Sequence, residues 1–410
     1  MRHFSSPHDR RCQRHNVSVS AQILLARSGA AYQKNRSPPA AVTRGPSRQA
    51  MDPLSSQSMI TNALLAAGRI IREPAGTLPG YWVGCPGAYY DAAENVWYLT
   101  YRVRRPRGVA PDRGGEVRIA RSTDLERWED VVTIHKDRYQ SASIERSCLH
   151  RGHDGEWHYF TSYVHPADGR WCTALIKAPS VAQLDPAKHT VLFSGPPLGL
   201  EGVKDPWILE HDGVYHLFLS VATPTPRTGA GSHASLDIFN TGQCKSATAL
   251  AISRDLGRWE WQGVVFAPGA TGWDQYCRRI NSVVSIEGMQ RSTDNADATN
   301  AARPARVEGS ANPETPAPRF LAFYDGSASH LENYEEKCAL AVSDDLRTWQ
   351  SLSPGGPVFT SPHGSKSIRY VDLKRTGDDW CLFYECARED GAHDMRMIRC
   401  DAAAVAGLLR

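Results

Sequence analysis

One seven-residue pattern recurs in this chain and limits its fold more than any other feature. Ser-x-Asp-Leu-x-x-Trp runs from Ser122 to Trp128, from Ser253 to Trp259 and from Ser343 to Trp349. Each copy follows a short apolar run (VRIA, ALAI, CALAV) and precedes another (VVTI, GVVF, SLSP). Ser and Asp bond neighbouring backbone amides in a tight turn, while Leu and Trp pack back between layers. Three copies in equivalent contexts make the chain a repeat protein built from strand–turn–strand units.

A hairpin lies upstream of each copy and recurs where the turn motif has decayed. The clearest, GVKDPWILEHDGVYHLFLS from Gly202, reverses at Asp212-Gly213, a strong short hairpin signal. Proline opens strands rather than sitting inside central ones, so Asp205 is expected at the mouth of the first strand, just before Pro206. Its relatives begin at Val83, Ser143, Arg279 (resuming at Arg319) and Ile368. Five hairpins, each followed by a second strand pair, give units of roughly 60 residues that close a core only when arranged radially. The expectation is an all-β fold, a five-bladed β-propeller of four-stranded antiparallel blades.

Composition fits one large repetitive domain, since 41% hydrophobic residues and 11 Trp supply a core. The net charge of +3 hides an asymmetry: residues 1–50 carry nine Lys/Arg and one acid, Asp9, leaving −5 for the rest. A mildly acidic folded part argues against a nucleic-acid partner. Without an apolar run of 18 residues there is no membrane span to expect. Ten singly spaced cysteines read as reduced, packed thiols, with neither a metal site nor a disulfide framework, and suit a cytoplasmic protein. No cofactor is called for, and the oligomeric state is open. Residues 1–58 read as a disordered basic segment, either a transit peptide or sequence ahead of a start at Met51 or Met59. The propeller then spans 59–410, with a disordered insertion at about 289–318 splitting one hairpin. Short helices are expected near Ser58 and from Asp401.

In a propeller the innermost strands line a funnel, and residues at its mouth converge. Aligning the turns at Asp154-Gly155, Asp212-Gly213 and Asp378-Asp379 makes Arg146, Lys204 and Arg369 equivalent. Asp205 and Tyr370 follow one place later, with Glu145 two places before the Asp205 equivalent and so on the same face. Arg102 closes the first hairpin and Arg279 opens the fourth. Two charged loops add Asp325, Asn333 and Glu336 (FYDGSASHLENYEEK) and Glu385 and His393 (LFYECAREDGAHDMR). Tyr370 and Trp207 offer ring faces for a sugar, although Trp between blades is also a packing residue.

These hairpins and turns resemble the five-bladed propeller glycosidases and phosphorylases, such as glycoside hydrolase families 43, 32 and 130. LEGVKDPWI is similar to the G-x-E-D-P-R element of mannoside phosphorylases, and CPGAYYD with YLTYR resembles their first blade. The resemblance covers about residues 80–400 and implies a carbohydrate substrate. The chain departs from it twice. Cys85-Pro86 stands where families 43 and 32 have an essential Asp, and Lys204 and Trp207 stand where the phosphorylase pattern has Glu and Arg. Of the implied catalytic set, Asp205 alone carries over.

Glycosidic cleavage needs a carboxylic acid for the leaving oxygen. Inverting hydrolysis adds a carboxylate that activates water, while phosphorolysis uses cations to hold phosphate. Asp205 and Glu145 are the candidate pair for an inverting hydrolase, with Glu336 or Glu385 as third members. Arg146, Lys204, Arg279 and Arg369 equally suit a phosphorylase, and a sugar-binding propeller without catalysis is the remaining alternative.

Overall fold

The computed structural model describes residues 59–287, 289, 318–377 and 379–409. The expected disordered N-terminal segment, and nearly all of the expected disordered insertion, lie outside the described residues. A short helix, Asn62–Ala66, leads into β1 (Arg69–Arg72), and Ala402–Gly407 forms a second helix capped by Asp401.

Between them the chain is β throughout. The strands pair antiparallel in successive fours. The first group is β2 (Trp82–Asp91), β3 (Val96–Arg105), β4 (Arg113–Ser122) and β5 (Glu129–His135). Next come β6 (Ile144–Arg151), β7 (Trp157–Val164), β8 (Trp171–Ala178) and β9 (Thr190–Phe193). They are followed by β10 (Gly202–His211), β11 (Val214–Pro224), β12 (Cys244–Ser253) and β13 (Glu260–Phe266). A further sheet holds β14 (Cys277–Ser285), β15 (Phe320–Ser327), β16 (Lys337–Ser343) and β17 (Gln350–Ser351). In the last, β18 (Ile368–Thr376), β19 (Asp379–Ala387) and β20 (His393–Cys400) take β1 as their fourth strand, so the two ends of the chain share one sheet.

Each pair of consecutive sheets shares an apolar core, since a sheet with two covered faces must bury both. The last core joins Phe383 and Met397 to Val83 and Leu99, which closes the circuit. Single parallel bridges, Ser246 to Cys277, Lys337 to Ile368 and Trp82 to His393, clip a third strand to the first strand of the next sheet. First strands therefore meet around a common axis: β2 touches β6, β6 touches β10, β10 touches β14, β14 touches β18, and β18 touches β2.

The repeated turns behave as their chemistry dictates. Ser122 Oγ accepts from Leu125 N at 2.9 Å, and Asp124 Oδ1 accepts from Glu126 N and Arg127 N at 2.8 Å. Leu125, Leu256 and Leu346 take a left-handed backbone (φ 64°, 55° and 64°). That strain is offset by burying each Leu almost completely.

The position of Asp205-Pro206 differs from the expectation. The pair lies inside β10, where the register slips between Lys204 and Trp207. A bulge leaves a residue outside the ladder, so proline loses no strand hydrogen bond there. Similar slips fall at Cys85-Pro86, Glu145-Arg146, Asn281 and Tyr370-Val371. Cys85, Asp205 and Tyr370 share a left-handed backbone, with φ of 56°, 56° and 53°.

Candidate functional site

The bulges correct the alignment made from the turns. Glu145, not Ser147, is the equivalent of Asp205, and Arg146 matches Pro206 rather than Lys204. The cause is the loop after β6, which runs from Gly152 to Glu156, whereas Asp212-Gly213 alone join β10 to β11. Counting back from the turn therefore falls short by two places.

At this level around the axis, acidic and basic side chains alternate. Lys204 Nζ lies 3.7 Å from Asp205 Oδ2, which lies 4.0 Å from Arg279 Nη1. Arg279 donates to Glu336, whose other oxygen accepts from Arg369 Nη1 at 2.8 Å. Arg369 also donates to Glu385 Oε1 through Nη2 and Nε, at 2.7 and 2.9 Å. Arg102 reaches Glu385 Oε2 at 3.3 Å and donates to Glu145, which meets Arg104 Nη1 at 3.5 Å. None of these nine side chains is more than 4% exposed.

Such a ring is tolerable out of water only because opposite charges alternate. Burial raises the carboxyls of Glu145 and Glu336, but their cations outweigh it. Arg102, Lys204 and Arg104 hold Glu145 down to about 2, and Arg279 and Arg369 hold Glu336 to about 2. Glu385 is held lower still against its burial, by Arg369, His393 and Arg102. All three are anions committed to arginines.

Asp205 differs. Both of its carboxylate oxygens are buried without a hydrogen-bond partner among the described residues, while its backbone N–H donates to Ser162 Oγ at 2.7 Å. It is an uncommitted carboxyl group on a strained backbone, facing Lys204 and Arg279. Lys204 in turn lies over the rings of Phe239 and Trp171, 4.7 and 4.9 Å from their centroids.

The remaining candidates divide. Asp325 accepts from Tyr370 N at 3.1 Å, and burial lifts its carboxyl to about 7, with Arg279 opposing and Glu336 adding to the rise. His393 Nδ1 donates to Glu385 at 2.7 Å while its ring stacks on Trp82. Asn333 donates to Asn240, which bonds Tyr334. Tyr370 places its ring under Arg369. Two candidates are elsewhere. Arg146 donates to Pro86 O at 2.9 and 3.2 Å and to Asn281 O at 2.9 Å, so it staples β2 to β14 across the axis instead of joining the ring. Trp207 donates to Asp372 at 2.9 Å on the far side of that staple, because the bulge breaks the alternation that would have set it beside Asp205.

Sequence reasoning missed Arg104 and the residues around the mouth. Arg104 shares a face with Arg102 two places before it, a signal the period of a strand carries. Tyr334 packs on Trp82 and over Arg104, and its hydroxyl donates to Asp237 at 2.7 Å. Both Tyr334 and Asp237 come from loops without a periodic signal.

No protein-family model matches the chain, and no curated protein matches it. Solved structures do. A thermostable family-43 glycoside hydrolase shares 13% identity, with 80% of this chain and 92% of the other aligned at a TM-score of 0.50. Another structure, named as a glycoside hydrolase, shares 11% identity over 82% of this chain and 93% of its own, also at 0.50. At such identities the likeness is one of architecture, and this chain is similar in fold to the glycoside hydrolases of family 43.

Proposed function

We propose that the sheets are the blades of a five-bladed propeller spanning 59–410, and that this cytoplasmic protein cleaves glycosidic bonds at the charged end of its axis. The grouping of strands in fours, the closed circuit of cores and the likeness to glycoside hydrolases support the architecture. The free, reduced state of the nine described cysteines, all buried, supports the location.

The reading of the site rests on one observation: Asp205 is a buried carboxylate whose two oxygens have no hydrogen-bond partner among the described residues. Polar groups left unsatisfied out of water cost free energy and are kept where a ligand completes them. Asp205 then takes the acid's role, giving its proton to the leaving oxygen. Glu145, ionised at the equivalent place one sheet away, takes the base's role and activates water for an inverting displacement. Arg102, Arg279, Arg369, Glu336 and Glu385 keep both in register, while Tyr370, Asn333, Asp325 and His393 border the sugar.

Phosphorolysis is the second reading, favoured by Lys204 and Arg279 at 3.7 and 4.0 Å from Asp205. An anionic nucleophile would meet those cations directly and need no base.

A panel of aryl glycosides, assayed with and without phosphate on the wild type and on Asp205→Asn, tests the proposal. Turnover that falls about a hundred-fold or more in the variant supports it, and dependence on phosphate selects the second reading. Unchanged turnover in Asp205→Asn, or sugar binding without turnover in the wild type, would overturn it.

A further inference from the structure

The axis has a second end. On the opposite side of Arg146, β2, β6, β10, β14 and β18 enclose a cavity of about 380 Å³, at the small end of ordinary ligand pockets. Tyr89, Tyr90, Trp207 and Trp380 give it aromatic walls, and Lys374, Arg375, His150 and the acid Glu210 give it polar ones.

Lys374 carries the clearest unspent capacity. Its Nζ lies 4.4 Å from the centroid of the Trp207 ring and 3.4 Å from Asp372 Oδ1. Asp372 is already engaged, accepting from Ala88 N at 2.7 Å and from Trp207 Nε1 at 2.9 Å. His150 is 8% exposed, and its Nε2 is buried without a hydrogen bond, 3.4 Å from Glu210 Oε2. Burial pushes the His150 imidazolium down to about 3, so the ring is neutral and offers one N–H.

We propose that this cavity is a second ligand site, for an aromatic carboxylate of one or two fused rings. The ring system lies among Trp207 and the two tyrosines, and the carboxylate pairs with Lys374 and accepts from His150. Charge and shape agree on this class. A cation stacked on an indole face marks where an anion attached to a flat ring finds both partners at once. A sugar fits less well, because Ile208, Val283 and Leu373 would leave its hydroxyls without partners. Arg146 lies between this site and Asp205, so occupancy here does not require the catalytic reading to hold.

Isothermal titration calorimetry of the full chain with sodium 2-naphthoate tests the site. One saturable site is expected. Lys374→Met should weaken it about ten-fold or more, and Leu209→Trp, which narrows the cavity, should weaken it about ten-fold or more as well. Methyl 2-naphthoate, which lacks the charge, should bind the wild type and Lys374→Met alike. Asp205→Asn should bind 2-naphthoate as the wild type does, whatever its turnover. Absence of saturation with the wild type overturns the proposal. So does an affinity unchanged in both Lys374→Met and Leu209→Trp, since the heat would then arise at another surface.

Discussion

Arg369 is the side chain on which the charged ring most depends, and Arg369→Met should show how much. Its guanidinium is 1% exposed and bonds two carboxylates, Glu336 at 2.8 Å and Glu385 at 2.7 and 2.9 Å. Holding Glu336 at about 2 rather than 4.5 represents about 3 kcal/mol of preference for the ion in the folded chain. Arg279 provides part of that and Arg369 part, while Glu385 adds a contribution of its own. Breaking a buried pair by removing one partner costs about 3–5 kcal/mol, which for a domain this large is about 4–7 °C in Tm. Thermal and urea unfolding of the variant, matched in scan rate to the wild type, reads the loss. Its dependence on pH identifies the cause. Carboxyls held below their unfolded values stabilise the fold fully above about pH 4.5, and that contribution disappears as pH falls through the folded values. The deficit of Arg369→Met should therefore stay level from pH 7 to about pH 5 and narrow below it. Adding Glu385→Gln to Arg369→Met should recover about 1 kcal/mol or more, because the stranded anion is gone. A deficit that stays constant down to pH 3, with no recovery in the double variant, would refute the electrostatic account. The packing of Arg369 on Trp82 and Tyr370 would then be its main contribution.

Three further outcomes follow from the same geometry. Asp205→Asn should remove turnover while moving the unfolding midpoint by about 1 kcal/mol equivalent or less, since Asn tolerates a left-handed backbone and the loss of the contacts with Lys204 and Arg279 offsets the relief of two oxygens without hydrogen bonds; a midpoint lowered by about 3 kcal/mol equivalent or more would make Asp205 a structural residue. Gly84→Ala should destabilise by about 2 kcal/mol or more in urea unfolding, because its Cβ would stand 1.9 Å from Glu385 Oε2 and that side chain is clamped by Arg369, Arg102 and His393. Asp325, lifted to about 7, binds its proton more tightly folded than unfolded, so it lowers stability progressively between about pH 4 and pH 7; Asp325→Asn should flatten that part of the stability profile and gain most above pH 7.

The architecture was legible because it is written in local chemistry that repeats. A Ser and an Asp that cap a turn, and a Trp that packs behind it, leave the same trace wherever they occur, and the three copies fold alike. The members of the ring were legible for a different reason. Charged residues at the ends of apolar strands have few places to go except a shared interior, and so Arg102, Glu145, Lys204, Asp205, Arg279, Glu336, Arg369 and Glu385 were all found. Their neighbours in space were not, because partner choice depends on register, and register is set by the bulges. A bulge leaves no mark that composition or periodicity can detect. Proline at 86 and 206 was its one signal, and it reads equally well as the opening of a strand. Two residues of error in the loop after β6 were enough to move Arg146 from staple to ring and to separate Glu145 from its true counterpart. The same bulges decide which face of the inner strands a side chain reaches, placing Asp205 among cations and Trp207 beside Lys374 within one strand. The chemistry of each end of the axis is thus fixed by a backbone irregularity, so that relieving the bulge would disorganise both ends together, whereas changing a side chain would alter one.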